Sequence, residues 1–268
     1  MFLAFLIRSR DRYLFRKIRK LKSCIDELRK QSRLIQMESR GTRDRSTLVP
    51  HRFTAQEGED ILIYDFFKND KPGFFVEAGA YDGVTFSNTY LLESLGWRGL
   101  LVETHPEMAG KCKANRTNSV VVHAALGPAG CSGEVEFTCA DDPVGGAALS
   151  FLEADKSHIE RCLREECMLR KVRVPIRTLD SLLESLSQRV QPHSLDVEGF
   201  ELEVLKGFDL DRFKPKLIII ELHGDERDER VAAHLAEQGY FAVAEKGCNR
   251  FYVPAHLRVS FATLLMRP

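Results

Sequence analysis

Gly73-Phe74-Phe75-Val76-Glu77-Ala78-Gly79-Ala80-Tyr81-Asp82-Gly83 runs from a Pro72-Gly73 break, through a short apolar run, into two spaced glycines. Phe74, Phe75 and Val76 are β-formers, too few for a helix and bounded by turn residues, so they predict a fully buried strand. Past its end, Glu77, Gly79 and Gly83 stand in the spacing E-x-G-x-x-x-G, and a helix-like segment, Val84 to Leu95, follows. Strand, glycine turn and helix form the first unit of a nucleotide-binding α/β sheet, where glycine lets the backbone approach a ligand with no Cβ in the way.

The spacing is not the G-x-G-x-x-G that seats a pyrophosphate, and no G-x-x-x-x-G-K-[ST] occurs in the chain, which argues against NAD and ATP. A carboxylate two residues before the first glycine suits a ligand with a positively charged amino-acid end, such as S-adenosylmethionine. Leu100-Leu101-Val102 predicts a second strand that delivers Glu103, 24 residues beyond Gly79. An acid there is where such folds hydrogen-bond ribose hydroxyls.

Pro106 to Asn115 reads as a helix opened by proline, Ser119 to Ala124 as a third strand followed by Ala125-Leu126-Gly127, and Glu134 to Cys139 as a hairpin strand. An excursion over 140–170, with a loop at Gly145-Gly146 and a charged helix from Phe151 to Arg170, is expected to form a lid or substrate wall. Lys171 to Ile176 alternates as a strand, and Thr178-Leu179-Asp180 caps a helix. In Ser194-Leu195-Asp196-Val197-Glu198-Gly199-Phe200-Glu201 a short strand delivers Asp196, Gly199 turns the chain, and a helix runs to Gly207. Leu217 to Ile220 is a buried strand that delivers Glu221 and His223; a helix and a final hairpin, Tyr240 to Ala244 with Arg250 to Val253, close the chain.

Of 268 residues, 1–52 hold 15 Lys+Arg and 5 Asp+Glu, a net of +10. The remainder therefore has 39−15 = 24 basic against 39−5 = 34 acidic residues, a net of −10. Three parts are expected: a basic helical arm over 1–40, a polar linker over 41–52, and one α/β domain over 53–268. In the arm, Leu14, Ile18, Leu21, Ile25 and Leu28 repeat at helical steps among Arg and Lys. That pattern fits a membrane-surface helix, a self-associating coiled coil or a solvated arm. Met1 to Ile7 is too short to span a bilayer, and its charges follow rather than precede it, the wrong order for a secretory signal. Seven scattered cysteines without C-x-x-C indicate neither a zinc site nor a disulfide framework, so a cytoplasmic location, peripheral on a membrane if the arm binds one, is the expectation.

Together, Phe-Val-Glu-Ala-Gly-Ala-Tyr-Asp-Gly at 75–83, Leu-Val-Glu at 101–103, Ala-Leu-Gly at 125–127, Arg-Thr-Leu-Asp at 177–180 and Leu-Asp-Val-Glu-Gly-Phe-Glu at 195–201 resemble the FkbM-type S-adenosylmethionine-dependent methyltransferases. The resemblance spans about Thr54 to Val253. It implies a Rossmann-like class I methyltransferase fold, a seven-stranded, mostly parallel sheet with helices on both faces, and methyl transfer, usually to a hydroxyl. Carried over by position, Glu77, Gly79, Ala80, Tyr81 and Gly83 would surround the methionine part of the cofactor, Glu103 and Thr104 the ribose, and Ala124 and Ala125 the adenine. Two departures stand out. Gln191-Pro192-His193 replaces the family's apolar residues, which predicts a shortened strand, and Glu103-Thr104-His105-Pro106 replaces its Glu-Pro-Asn-Pro.

Methyl transfer from a sulfonium is an in-line displacement that needs alignment and removal of the acceptor's proton. Asp196, Glu221 and His223 fall at strand C-termini, the ligand edge of such sheets. Asp196 is expected beside the cofactor as well as in catalysis, and His223 is the natural general base. The same three could instead hold Mg²⁺ or Mn²⁺ and acidify the acceptor hydroxyl. Glu198 and Glu201 could instead simply flank a helix N-terminus, where the dipole favours acids. The expected acceptor is a sugar, lipid or small metabolite, with no nucleic-acid partner. A second class of function is a catalytically inactive, membrane-associated trafficking or scaffold protein, favoured by the basic arm and opposed by the intact Glu77, Gly79, Gly83 and Glu103.

Overall fold

The computed structural model divides the chain between His51 and Arg52. It describes residues 53–142, 147–152, 156–186, 201–259 and 261, and the backbone of 192–195. The basic arm, the linker and Asp196 with the turn after it lie outside the described residues.

The elements run α1 (Glu59–Phe67), β1 (Phe74–Ala78), α2 (Tyr90–Ser94), β2 (Arg98–Glu103), α3 (Pro106–Asn115), β3 (Val120–His123), β4 (Ala125–Leu126), β5 (Glu134–Asp141), α4 (Lys156–Arg164), β6 (Met168–Arg177), α5 (Leu179–Leu186), β7 (Pro192–Leu195), α6 (Glu201–Leu205), α7 (Leu210–Phe213), β8 (Leu217–Glu221), α8 (Glu226–Glu237), β9 (Tyr240–Lys246) and β10 (Asn249–Pro254). Seven strands form one sheet in the order β3-β2-β1-β7-β8-β10-β9. β3, β2, β1, β7 and β8 are parallel, and β10 runs antiparallel to both of its neighbours. The strand order reverses between β1 and β7, so the C-terminal ends of these strands border the crevice where open α/β sheets take ligands.

The sheet is buried on both faces, which is why its central strands read as unbroken apolar runs. Phe74, Val76, Leu100, Val102, Ile218 and Ile220 pack on one side with Leu179, Leu183, Val204 and Leu235. Phe75, Leu101, Leu217 and Ile219 pack on the other with Ile63, Phe67, Trp97 and Phe251. Among the described residues no helix is long and apolar enough to cross a membrane.

Two expectations change. Of the helix expected over Val84 to Leu95, only Tyr90–Ser94 forms. The Asp82 carboxylate accepts the N–H groups of Val84 and Thr85 at 2.8 and 2.7 Å, and Ser87 Oγ accepts that of Tyr90 at 3.0 Å. Phe86, at φ 63°, bridges to Ala55. Local side-chain acceptors thus win over helix propagation there. The helix expected over Phe151 to Arg170 stops at Arg164: Glu166 turns at φ 59°, and Met168, Leu169 and Arg170 already pair with Asp141, Ala140 and Cys139. The shortened strand expected at Gln191-Pro192-His193 forms as β7, four residues opened by Pro192, which pairs with Leu217, while His193 pairs with both Val76 and Ile218. A first-position proline gives up no ladder bond that the strand needs.

β4, β6 and β5 form a second, three-stranded sheet, entered directly from β3 through Ala124. The excursion beyond β5 has a small core of its own, in which Ala140, Phe151, Cys162 and Cys167 are buried together.

Candidate active site

The chain leaves β1 through Gly79, at φ 71°, and the N–H groups of Gly79 and Ala80 both reach Val102 O, at 3.0 and 3.2 Å. The glycine turn is thereby strapped to the end of β2. Tyr81, itself at φ 51°, completes the strap by donating its N–H to Glu103 Oε2 at 2.7 Å. The other oxygen, Oε1, accepts the His105 N–H at 2.6 Å. A carboxylate has about four lone-pair positions, and the Thr104 backbone also hydrogen-bonds this one, so about one is left over. Ala124 lies beside this acid: its N–H donates to Glu103 O at 3.2 Å, and Thr104 Oγ1 donates to Ala124 O at 3.1 Å. Gly79, Ala80, Tyr81, Glu103, Thr104 and Ala124 are therefore one connected network around the ends of β1, β2 and β3, in which Ala80, Glu103 and Ala124 are buried, whereas the fully buried Ala125 pairs with Ile176 in the second sheet. Across it the Ala147 N–H donates to Tyr81 Oη at 3.3 Å, joining the excursion to the glycine turn.

Burial pushes Glu103 up from an ordinary 4.5 to about 7, against the lowering effect of its backbone donors. The folded state thus holds this proton more tightly than the unfolded chain, and stability falls as pH rises from 4.5 toward 7. A shift of that size corresponds to roughly 3 kcal/mol. Thermal melts at pH 5 and pH 8 should show the wild type losing more stability across that interval than Glu103→Gln, which cannot ionise. Parallel losses in the two proteins would disprove this assignment.

Glu77 and Gly83 are placed differently, inside the protein. Glu77 is 5% exposed, and its oxygens accept from Ser87 Oγ (2.9 Å), Thr89 Oγ1 (2.5 Å) and the Asn88 N–H (2.9 Å). Arg116, 1% exposed, lies 3.5 Å from the same carboxylate and 2.8 Å from Glu93. Its guanidinium also donates to Gly83 O, Ser87 Oγ and Thr89 Oγ1 and lies over the Phe75 ring. A Cβ on Gly83, which sits at φ +79°, would come within 2.7 Å of Arg116 Cγ and 2.9 Å of Cys112 Sγ. Glu77 and Gly83 form the inner scaffold of the glycine turn.

At the other side of the switch point, β8 ends at Glu221, and the turn after it is held by Asp228, whose carboxylate accepts the N–H groups of His223 and Gly224 at 2.9 Å each. His223 Nε2 lies 2.8 Å from Oε1 of Glu201, a residue 2% exposed in the first turn of α6. That hydrogen bond raises the His223 pKa above its usual 6.5, opposed by partial burial. Donor atoms of Glu201, Glu221 and His223 lie within 4.8 Å of one another. One strand, β7, separates this cluster from β1.

A model of the FkbM methyltransferase domain matches residues 77–242. The chain belongs to this family. No curated protein matches it in sequence. Similar solved structures include a proposed RNA methyltransferase from Pyrococcus horikoshii, 11% identical over 74% of this chain and 81% of that one at a TM-score of 0.40. Another is a METTL16 methyltransferase domain, 13% identical over 77% and 68% at a TM-score of 0.42.

In this FkbM domain the residue that sequence reasoning passed over is Glu201, set aside as an acid flanking a helix. Its signal was present: an acid two residues after Gly199 opens the helix that faces the β8 turn. What sequence could not give is the rotation that aims it at His223. The other addition is Arg116, whose sequence context, the end of a basic helix, gives no sign of burial.

Proposed function

We propose that this FkbM-family protein is an S-adenosylmethionine-dependent O-methyltransferase acting on a hydroxyl of a sugar, lipid or small metabolite. The observation that carries this reading is the buried Glu103 carboxylate, fixed to the glycine turn by Tyr81 and His105 with acceptor capacity left over for a ribose hydroxyl. When bound, the cofactor supplies a methyl group on a sulfonium. Ala124, whose backbone is bonded to Glu103 and Thr104, marks the side on which the base would lie, and Gly79 keeps the turn open. His223 is the base: with Nε2–H held by Glu201, Nδ1 carries the lone pair that takes the acceptor's proton, and the ionised Glu201 stabilises the imidazolium that results. The net charge of −10 over 53–268 favours an uncharged or cationic acceptor over a nucleic acid, whose backbone is bound through Lys and Arg.

Calorimetric titration of S-adenosylmethionine into the full chain tests the reading. The wild type should bind, Glu103→Ala should lose about 10- to 100-fold in affinity with its charged hydrogen bonds, and Gly79→Val, which forces a β-branched residue to positive φ, should not bind measurably. A folded wild type that ignores the cofactor overturns the enzyme and leaves the scaffold alternative. Once binding is established, a screen of sugar, lipid and small-metabolite hydroxyls with labelled cofactor identifies the acceptor.

A further inference from the structure

A second cluster of chemistry-bearing side chains lies where β2 hands over to α3, apart from the Glu201, Glu221 and His223 group. His105, the residue before Pro106, has a side chain only 1% exposed. Its Nε2 is 3.0 Å from Asp141 Oδ1 at the end of β5. Its Nδ1 is buried and has no hydrogen-bond partner; the nearest charged atom, Glu107 Oε2, stands 3.6 Å away. With the Nε2 proton donated to Asp141, Nδ1 presents a lone pair to a carboxylate oxygen. Two electron-pair donors then face each other across a gap too long for a hydrogen bond, and a buried polar nitrogen in that state calls for a ligand.

We propose that this is a binding site for a divalent transition-metal ion of the zinc class, ligated by His105 Nδ1 and the Glu107 carboxylate. Two ligand atoms on a tetrahedral ion with bonds of about 2.0 to 2.1 Å lie roughly 3.3 to 3.4 Å apart, so the observed gap closes with a small side-chain adjustment. Water completes the shell. Asp141, on the far ring nitrogen, is the orienting acid of a carboxylate–histidine–metal arrangement. The mixture of imidazole and carboxylate selects Zn²⁺ or Co²⁺ over Mg²⁺ and Ca²⁺, which prefer oxygen alone. Arg170 is the counter-ion that holds the place: its Nη2 lies 3.1 and 3.2 Å from the two Glu107 oxygens and 3.6 Å from Asp141 Oδ2. At 43% exposure its head can swing to solvent when a cation arrives. Because the His105 N–H supports Glu103, a metal here would join the end of β5, the first turn of α3 and the ribose acid into one rigid unit.

The test uses the full chain, with Zn²⁺ followed by calorimetry and Co²⁺ by its visible absorption. Wild type should take up one ion that His105→Asn does not, and His223→Asn should retain that ion, which separates this site from the β8 cluster. Arg170→Gln should bind it several-fold more tightly, because the competing guanidinium is gone. Melting in EDTA shows whether His105→Asn is folded; if it is not, Glu107→Gln serves as the loss variant. The proposal is overturned if wild type binds no ion beyond what the loss variant binds, if His223→Asn is the variant that loses it, or if Arg170→Gln binds more weakly. An imidazolium bridging two carboxylates, with no metal, would give the first of these results.

Discussion

Replacing Arg116 with methionine is expected to destabilise the folded unit by about 3 to 5 kcal/mol, the usual consequence of leaving buried partner charges uncompensated. The reason lies in how much converges on one guanidinium. Glu77 and Glu93 are 5% and 8% exposed, and both face Arg116. The Gly83 carbonyl and the Ser87 and Thr89 hydroxyls lose a donor at the same time. For a domain of this size the melting temperature should fall by about 10 °C or more. Arg116→Lys should recover only part of the loss, since one ammonium cannot replace a planar fork that reaches several acceptors. A methionine variant that melts within a few degrees of wild type would show that these acids find other partners.

His223→Asn is expected to lower turnover by about 10² to 10⁴ while leaving affinity for S-adenosylmethionine unchanged, the pattern of a lost proton acceptor. The pH profile gives a sharper reading. A base works deprotonated, and Glu201 raises the His223 pKa, so the rate should climb with pH across a window lying above 6.5. Glu201→Gln removes the charge that favours the imidazolium, and the climb should move to lower pH while the plateau falls. Full turnover in a folded His223→Asn protein, or an unmoved profile in Glu201→Gln, would put the base elsewhere.

The sheet was legible because its strands are buried on both faces and so carry no polar interruptions: Phe74 to Val76, Leu100 to Val102 and Leu217 to Ile220 can hardly be anything but interior strands. The position of the acid at the end of β2 was legible for the same reason, since the apolar run fixes where the strand stops and so that Glu103 closes it. Val84 to Leu95 misled because helix periodicity competes with the side-chain oxygens of Asp82 and Ser87, and a pattern of apolar residues does not weigh those hydrogen bonds. Met168 to Arg170 misled because strand pairing depends on a partner about 30 residues earlier in the chain. The ligand reading of Glu77 meets a similar limit: a carboxylate at a strand end looks the same in sequence whether it faces a crevice or a buried arginine.

The small core of Ala140, Phe151, Cys162 and Cys167 packs the excursion against itself, while the sheet beneath keeps separate apolar layers on its two faces. Among the described residues its backbone is tied to the rest by the β5–β6 ladder, the Thr138–Phe151 bridge and the hydrogen bond from Ala147 N–H to Tyr81 Oη. Such a segment can diverge, lengthen or be exchanged between relatives without the sheet having to refold. For engineering, this marks the span between Cys139 and Arg170 as a natural cassette. A chimaera joined at that paired register would carry a foreign excursion on the same seven-stranded sheet.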